Sequence, residues 1–192
     1  MVNYPNGKTN KIEKSKTSAS NRGMTLEKDI NQTNDYYLSI DKANIHKKPT
    51  PIQIVKVDYP HRSAAKIVEA YFKVPSTTDY NGVYRGKAID FEAKESQSAT
   101  SFPLSSIHPH QISHLKSVIK HGAIGFIIFR FTHYDETIYV PAQLVIDYYE
   151  NTEKKSIPYP WFKEHGYLIK YNYNKPVDYL TIIDQLYFKE EQ

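Results

Sequence analysis

The run Ala123-Ile124-Gly125-Phe126-Ile127-Ile128-Phe129 carries no charged or amide side chain. It is far shorter than the roughly 20 apolar residues needed to cross a bilayer. Its β-branched and aromatic residues read as a strand buried on both faces. The flanking sequence supplies elements to cover such a strand. His108-Pro109 opens a helix that runs to Lys120 and stops at Gly122, with Ile112, Leu115, Val118 and Ile119 as its apolar stripe. Thr137 to Val140 reads as another strand, Pro141 to Tyr149 as a helix, and Tyr167 to Lys170 as a short strand. Asp178 can cap a last helix carrying Leu180, Ile183, Leu186 and Tyr187. Upstream, Leu26, Ile30, Thr33 and Tyr37 recur at i, i+4, i+7 and i+11, an amphipathic helix over 24–38. This order predicts an α/β fold, a mixed central β-sheet flanked by helices.

The 192 residues suit one compact domain, and a 40% hydrophobic content is enough to give it a core. The absence of Cys excludes disulfides, thiolate zinc sites and cysteine nucleophiles together. With no bilayer-spanning run and no apolar secretory segment, the expectation is a soluble, cytoplasmic protein that makes no use of a membrane. The net charge of +4 is unevenly placed. Residues 1–22 hold Lys8, Lys11, Lys14, Lys16 and Arg22 against Glu13, and the remainder balances. The domain is therefore expected over 23–192, preceded by a mobile basic arm over 1–22. Such an arm is an electrostatic footprint for phosphates or a solubilising tail.

After Pro49 and Pro51, Ile52 to Val57 reads as a strand whose alternation slips at Ile54-Val55, where a bulge fits. The next stretch, about 58–76, is basic and aromatic without a core-facing period. Arg62, Tyr71 and Phe72 lie in it, and it reads as a protrusion or an edge hairpin. The alternative packs Tyr71 and Phe72 into the domain. Asn81-Gly82 and Arg85-Gly86 are turn signals, and Ala88 to Lys94 alternates with period two. That strand puts Ile89, Phe91 and Ala93 on one face and Asp90, Glu92 and Lys94 on the other.

Asp79, Glu92 and Lys94 converge if the hairpin between them closes normally. Two carboxylates with room for water suit Mg²⁺, and a neighbouring Lys can orient the attacking water or meet charge developing on a phosphate. The same spacing also occurs as a plain cross-strand ion-pair pattern. Gln111 falls between Leu115 and Val118 on the helical wheel, so this core-facing amide needs a partner or positions water at a metal. Thr77 shares a face with Asp79 if the segment is extended.

Ser76-Thr77-Thr78-Asp79-Tyr80-Asn81-Gly82-Val83-Tyr84, followed by Ile89-Asp90-Phe91-Glu92-Ala93-Lys94-Glu95, resembles the RecU family of Holliday junction resolvases, within the PD-(D/E)-x-K nuclease superfamily. Further matching segments are Met1 to Gly7, Arg22-Gly23-Met24, Ile45 to Pro51, Phe102-Pro103-Leu104, His110-Gln111 and Asp178-Tyr179-Leu180. Thr78 stands where the superfamily pattern has a proline, which is not a ligand. The resemblance implies a restriction-endonuclease-like fold with a protruding stalk at about 58–76. It also implies a homodimer that cuts four-way junction DNA with Mg²⁺, or Mn²⁺ in its place, leaving 5′-phosphate and 3′-hydroxyl ends in recombination and DNA repair. Carried over by position, Thr77, Asp79, Glu92 and Gln111 hold the metal, while Asp79, Glu92 and Lys94 are catalytic. Arg22, Lys47, Arg62, Tyr71 and Phe72 contact DNA. RecA and the RuvAB branch-migration machinery are the implied partners.

The competing reading from another class is a non-catalytic junction-binding factor that modulates RecA. The acidic pair argues against it, because a pure binder gains nothing from carboxylates facing phosphates. A sequence-specific restriction-type nuclease would need base-reading loops, and none stands out. His110 and His114, at i and i+4, can hold zinc but lack a third ligand, and a solvated or phosphate-facing rim explains them better. Asp90 either tunes the site or pairs with Lys87.

Overall fold

The computed structural model describes residues 23–73 and 76–188, so the arm over 1–22 lies outside the described residues. A six-stranded sheet organises the molecule. Its strands, in spatial order, are β1 (Asn44–Lys47), β4 (Tyr80–Tyr84), β5 (Lys87–Ser96), β7 (Ile124–Phe131), β8 (Glu136–Pro141) and β10 (Tyr167–Ile169). β5 and β7 pair in parallel, and the other neighbours are antiparallel. A parallel pair needs a crossover, and α2 (Pro109–Lys120) supplies it. The mixed sheet flanked by helices is thus the observed architecture.

β7 is buried at all eight positions, and its alternate residues serve different cores. Phe126 and Ile128 join one core with Leu26, Ile30 and Tyr37 of α1 (Gly23–Ser39) and with Tyr179, Leu180 and Ile183 of α5 (Tyr179–Tyr187). Ile127, Phe129 and Phe131 join the other core. There they meet Ile112 and Leu115 of α2, Val145 and Ile146 of α3 (Ala142–Asn151), and Phe162 of α4 (Tyr159–His165). A continuous apolar run is what burial on both faces requires. Among the described residues, no helix is long and apolar enough to cross a membrane.

β5 divides its faces as its alternation predicts. Ile89 and Phe91 enter the α1/α5 core, which leaves Asp90, Glu92 and Lys94 toward the side where α2 packs. Behind that polar row, rings stack from Tyr80 to Phe91 (4.7 Å), Phe91 to Phe126 (4.5 Å) and Phe126 to Tyr139 (4.5 Å) across four strands. The β4–β5 turn is at Arg85-Gly86, both with positive φ (48° and 75°). Asn81-Gly82, the other turn signal, lies inside β4 instead. Gly82 is there because a Cβ would sit 2.1 Å from the Asn44 carbonyl oxygen of β1, so the glycine serves close strand approach and not a bend.

β2 (Ile52–Asp58) and β3 (Lys66–Phe72) form a separate antiparallel hairpin, and all seven residues of β2 are exposed. The register shifts between Ile54 and Lys56, where the sequence places a bulge. The projection therefore begins at Ile52 and not at 58, because the β-branched run that reads as a sheet strand is its first arm. Tyr71 and Phe72 are 61% and 84% exposed, which removes the alternative that they pack into the domain.

β6 (Ser101–Pro103) and β9 (Ser156–Pro158) make a small third sheet. Neither they nor α4, with Trp161 on it, is apparent from periodicity.

Candidate active site

The polar face of β5 meets three other segments: the stretch 76–79 leading into β4, the first turns of α2, and Lys48 beyond the end of β1. Tyr80 pairs with Phe91 in the antiparallel register, so Asp79 and Glu92 stand one position further along, opposite each other. Their contact is direct, with the Asp79 N–H donating to Glu92 Oε2 at 3.1 Å. Gln111 Nε2 donates to Glu92 Oε1 at 2.6 Å, and Lys94 Nζ lies 2.9 Å from the same oxygen. Gln111 is the third residue of α2, and its Oε1 accepts the His108 N–H at 3.0 Å, capping the helix. One buried amide thus caps a helix start and holds a carboxylate.

Glu92 is only 2% exposed. Burial pushes its carboxyl up to about 8; Lys94 opposes that rise, and the adjacent Asp79 carboxyl adds to it. A carboxylate buried against a second one with a single ammonium is short of positive charge, and a divalent cation would supply it. The ligating oxygens at hand are those of the Asp79 and Glu92 carboxylates, while Gln111 turns its amide nitrogen to Glu92 and its oxygen to the His108 N–H. This hard-oxygen set fits Mg²⁺ or Mn²⁺ and not zinc. Among the described residues no three or more His, Cys, Asp or Glu side chains gather to hold a metal ion. His114 instead turns to Asp90, Nε2 to Oδ1 at 3.1 Å, and His110 stacks on His108 with centroids 5.4 Å apart.

Asp79, Glu92, Lys94 and Gln111 are therefore brought together. Thr77 is half-buried beside them, and its hydroxyl donates to the Thr78 carbonyl at 3.3 Å. Lys47 is exposed and pairs with Glu27 at 2.5 Å. Tyr71 and Phe72 lie out on the hairpin, Arg62 is in the turn between its strands, and Arg22 lies outside the described residues. A cavity of about 290 Å³ joins the two regions, lined by Lys47, Lys48, Lys73, Thr77, Thr78 and Asp79 among others.

One feature departs from the sequence reading. Asp90 pairs with Lys48, at 2.9 Å, and not with Lys87, because residues three apart on β5 point to opposite faces. Thr78 and His114 also reach Asp90. The run Lys47-Lys48 gave no means of telling a surface cation from a buried one.

A family model described as Recombination protein U (RecU) matches residues 21–185. A Holliday junction resolvase RecU of Oceanobacillus iheyensis is 52% identical over 196 residues, covering 97% of this chain and 100% of its relative. One of Bacillus cytotoxicus is 51% identical, with 97% and 98% covered. Among solved structures, the Holliday junction resolvase Hjc of Archaeoglobus fulgidus is 12% identical at a TM-score of 0.44, covering 76% of this chain and 95% of Hjc. The similarity to curated relatives spans both carboxylates, the lysine and the hairpin, and the chain belongs to the RecU family.

Proposed function

We propose that the protein is a structure-selective endonuclease that resolves four-way DNA junctions by hydrolysing phosphodiester bonds, with Asp79 and Glu92 holding Mg²⁺, or Mn²⁺ in its place, and Thr77 and Gln111 beside them. The observation that carries this reading is the convergence of Gln111, Lys94 and the Asp79 N–H on the buried Glu92 carboxylate, beside an exposed aromatic hairpin.

A divalent cation held by Asp79 and Glu92 would polarise the scissile phosphate and lower the pKa of a water molecule. Lys94, 14% exposed at its side chain, orients the attacking water by hydrogen bonding and meets negative charge on the phosphate as it develops. Water adds to phosphorus and the bond to the 3′ oxygen breaks. That oxygen takes up a proton, leaving 3′-hydroxyl and 5′-phosphate ends. Gln111 fixes the orientation of Glu92, and the stacked rings behind β5 keep the strand from yielding. Tyr71 and Phe72 are placed to stack on bases left open where strands exchange, while Arg62 and Lys47 contact backbone phosphates. A homodimer presents two sites to opposite strands of one junction, as paired nicks require. Within the cytoplasm, RecA and RuvAB are the partners such a role calls for.

The test is cleavage of a labelled four-way junction in Mg²⁺ with excess linear duplex as competitor. Paired symmetric nicks with ligatable ends, lost on chelation, are the expected result. An intact junction, or equal cutting of the duplex, would overturn the reading.

A further inference from the structure

Asp90 precedes Glu92 by two residues on the same face of β5 and is only 7% exposed. Its carboxylate gathers donors from three separate segments. Lys48 Nζ reaches Oδ2 at 2.9 Å, the Thr78 hydroxyl donates to Oδ1, and His114 Nε2 lies 3.1 Å from Oδ1. The lysine does more than neutralise this carboxylate. Its ammonium also donates to Thr78 Oγ1 at 2.9 Å, and its backbone N–H donates to the Asp79 carbonyl at 2.7 Å.

Asp79 is consequently held at both ends of its own backbone. Its N–H is bound by Glu92 (3.1 Å), its carbonyl by Lys48, and the preceding Thr78 is bound by Asp90 and Lys48 together. Lys48 also stands immediately before Pro49, whose ring disfavours the helical region for it and keeps the chain extended there. From Lys48 the chain passes through Pro49-Thr50-Pro51 straight into β2. The Lys73 N–H closes the root of the hairpin on the Pro51 carbonyl at 3.0 Å. One lysine therefore joins the hairpin root, the segment bearing Asp79, and β5. A buried ion pair contributes little net stability compared with apolar residues of the same volume, so the value of this one lies in the geometry it fixes.

We propose that Lys48 and Asp90 are positioning residues for phosphodiester cleavage: their ion pair sets Asp79 against Glu92 and ties that placement to the root of the projecting hairpin. The proposal rests on the nuclease reading above and adds two residues that act through Asp79 without touching the reacting phosphate.

The test compares the parent with Lys48→Arg, Asp90→Asn and the double variant Lys48→Met/Asp90→Leu. The double variant replaces the pair by apolar side chains and so avoids stranding a single buried charge. Junction affinity without divalent metal, single-turnover cleavage at saturating protein, thermal unfolding and amide hydrogen exchange over residues 76–84 are measured on each full-length protein. The expected result is a cleavage rate lower by about 10- to 100-fold in Asp90→Asn and the double variant. Junction affinity should stay within about threefold of the parent, exchange over 76–84 should be faster, and Lys48→Arg should recover most of the rate. A folded double variant that cleaves at the parent rate would overturn the proposal, as would a rate loss matched by the loss of folded protein. If the parent itself leaves junctions intact, the nuclease reading fails. Hydrogen exchange still decides the positioning claim in that case, because unchanged protection over 76–84 in the double variant contradicts it.

Discussion

β7 and the β2–β3 hairpin draw on the same β-branched and aromatic residue types and lead opposite lives. β7 is buried along its whole length, whereas β2 and β3 are exposed along theirs. β7 has a strand on each side and a helical layer over each face; the hairpin strands have only each other. The difference teaches that apolar composition alone does not mark the core. What distinguishes the two is the neighbours each can recruit, and a two-stranded ribbon with no covering layer contributes little to the stability of the domain. The hairpin's aromatic residues Tyr71 and Phe72 stay exposed.

The largest break in this comparison is expected in the buried half. Phe126→Ala removes the ring that stacks on both Phe91 and Tyr139 and should cost about 3–5 kcal/mol in chemical denaturation. A loss below about 1 kcal/mol would mean that β7 does not carry the core.

A second test sits between the two regions, at Glu92. Its carboxyl is raised from 4.5 to about 8, so the folded chain holds this proton more tightly than the unfolded one. Below about pH 4.5 both forms are protonated and burial of the group carries no pH-dependent cost. As pH rises from there toward 8 the unfolded chain ionises first, and the folded state is progressively disfavoured. In chelated buffer, the stability of Glu92→Gln relative to the parent should therefore improve by roughly 2–5 kcal/mol between pH 4 and pH 9. A pH-independent difference would contradict a buried, cation-seeking carboxyl.

The smallest effect on stability is expected at the hairpin. Phe72→Ala, at a side chain 84% exposed, should change unfolding free energy by no more than about 0.5 kcal/mol while reducing the preference for four-way junctions over linear duplex. Marked destabilisation with unchanged preference would place Phe72 among the core residues and erase the contrast.

Much of this was legible in the sequence because periodicity reports burial. The alternation from Ala88 to Lys94 separates Phe91 from Glu92 correctly, and the stripe of α1 is the one observed. The apolar run at 123–129 sits where β7 does. Gln111 stood out because an amide in an apolar stripe needs a partner, which turns out to be Glu92. What stayed hidden depends on contacts between distant segments. Gly82 reads as a turn until β1 is seen crossing its Cα, and β2 reads as a sheet strand until its only neighbour proves to be β3. Lys48 looks like any surface lysine, since nothing local says that Asp90, 42 residues away, will receive it.

The central claim is that the Glu92 carboxylate belongs to the hydrolytic machinery and not to the fold or to DNA binding. The measurement that tests it most directly is single-turnover cleavage of a labelled four-way junction by Glu92→Ala, with junction affinity measured on the same preparation without divalent metal. Cleavage should be abolished, while affinity should match that of the parent, because without a cation the buried Glu92 carboxyl, raised to about 8, presents little negative charge to phosphates near neutral pH. Cleavage by Glu92→Ala near the parent rate would contradict the account.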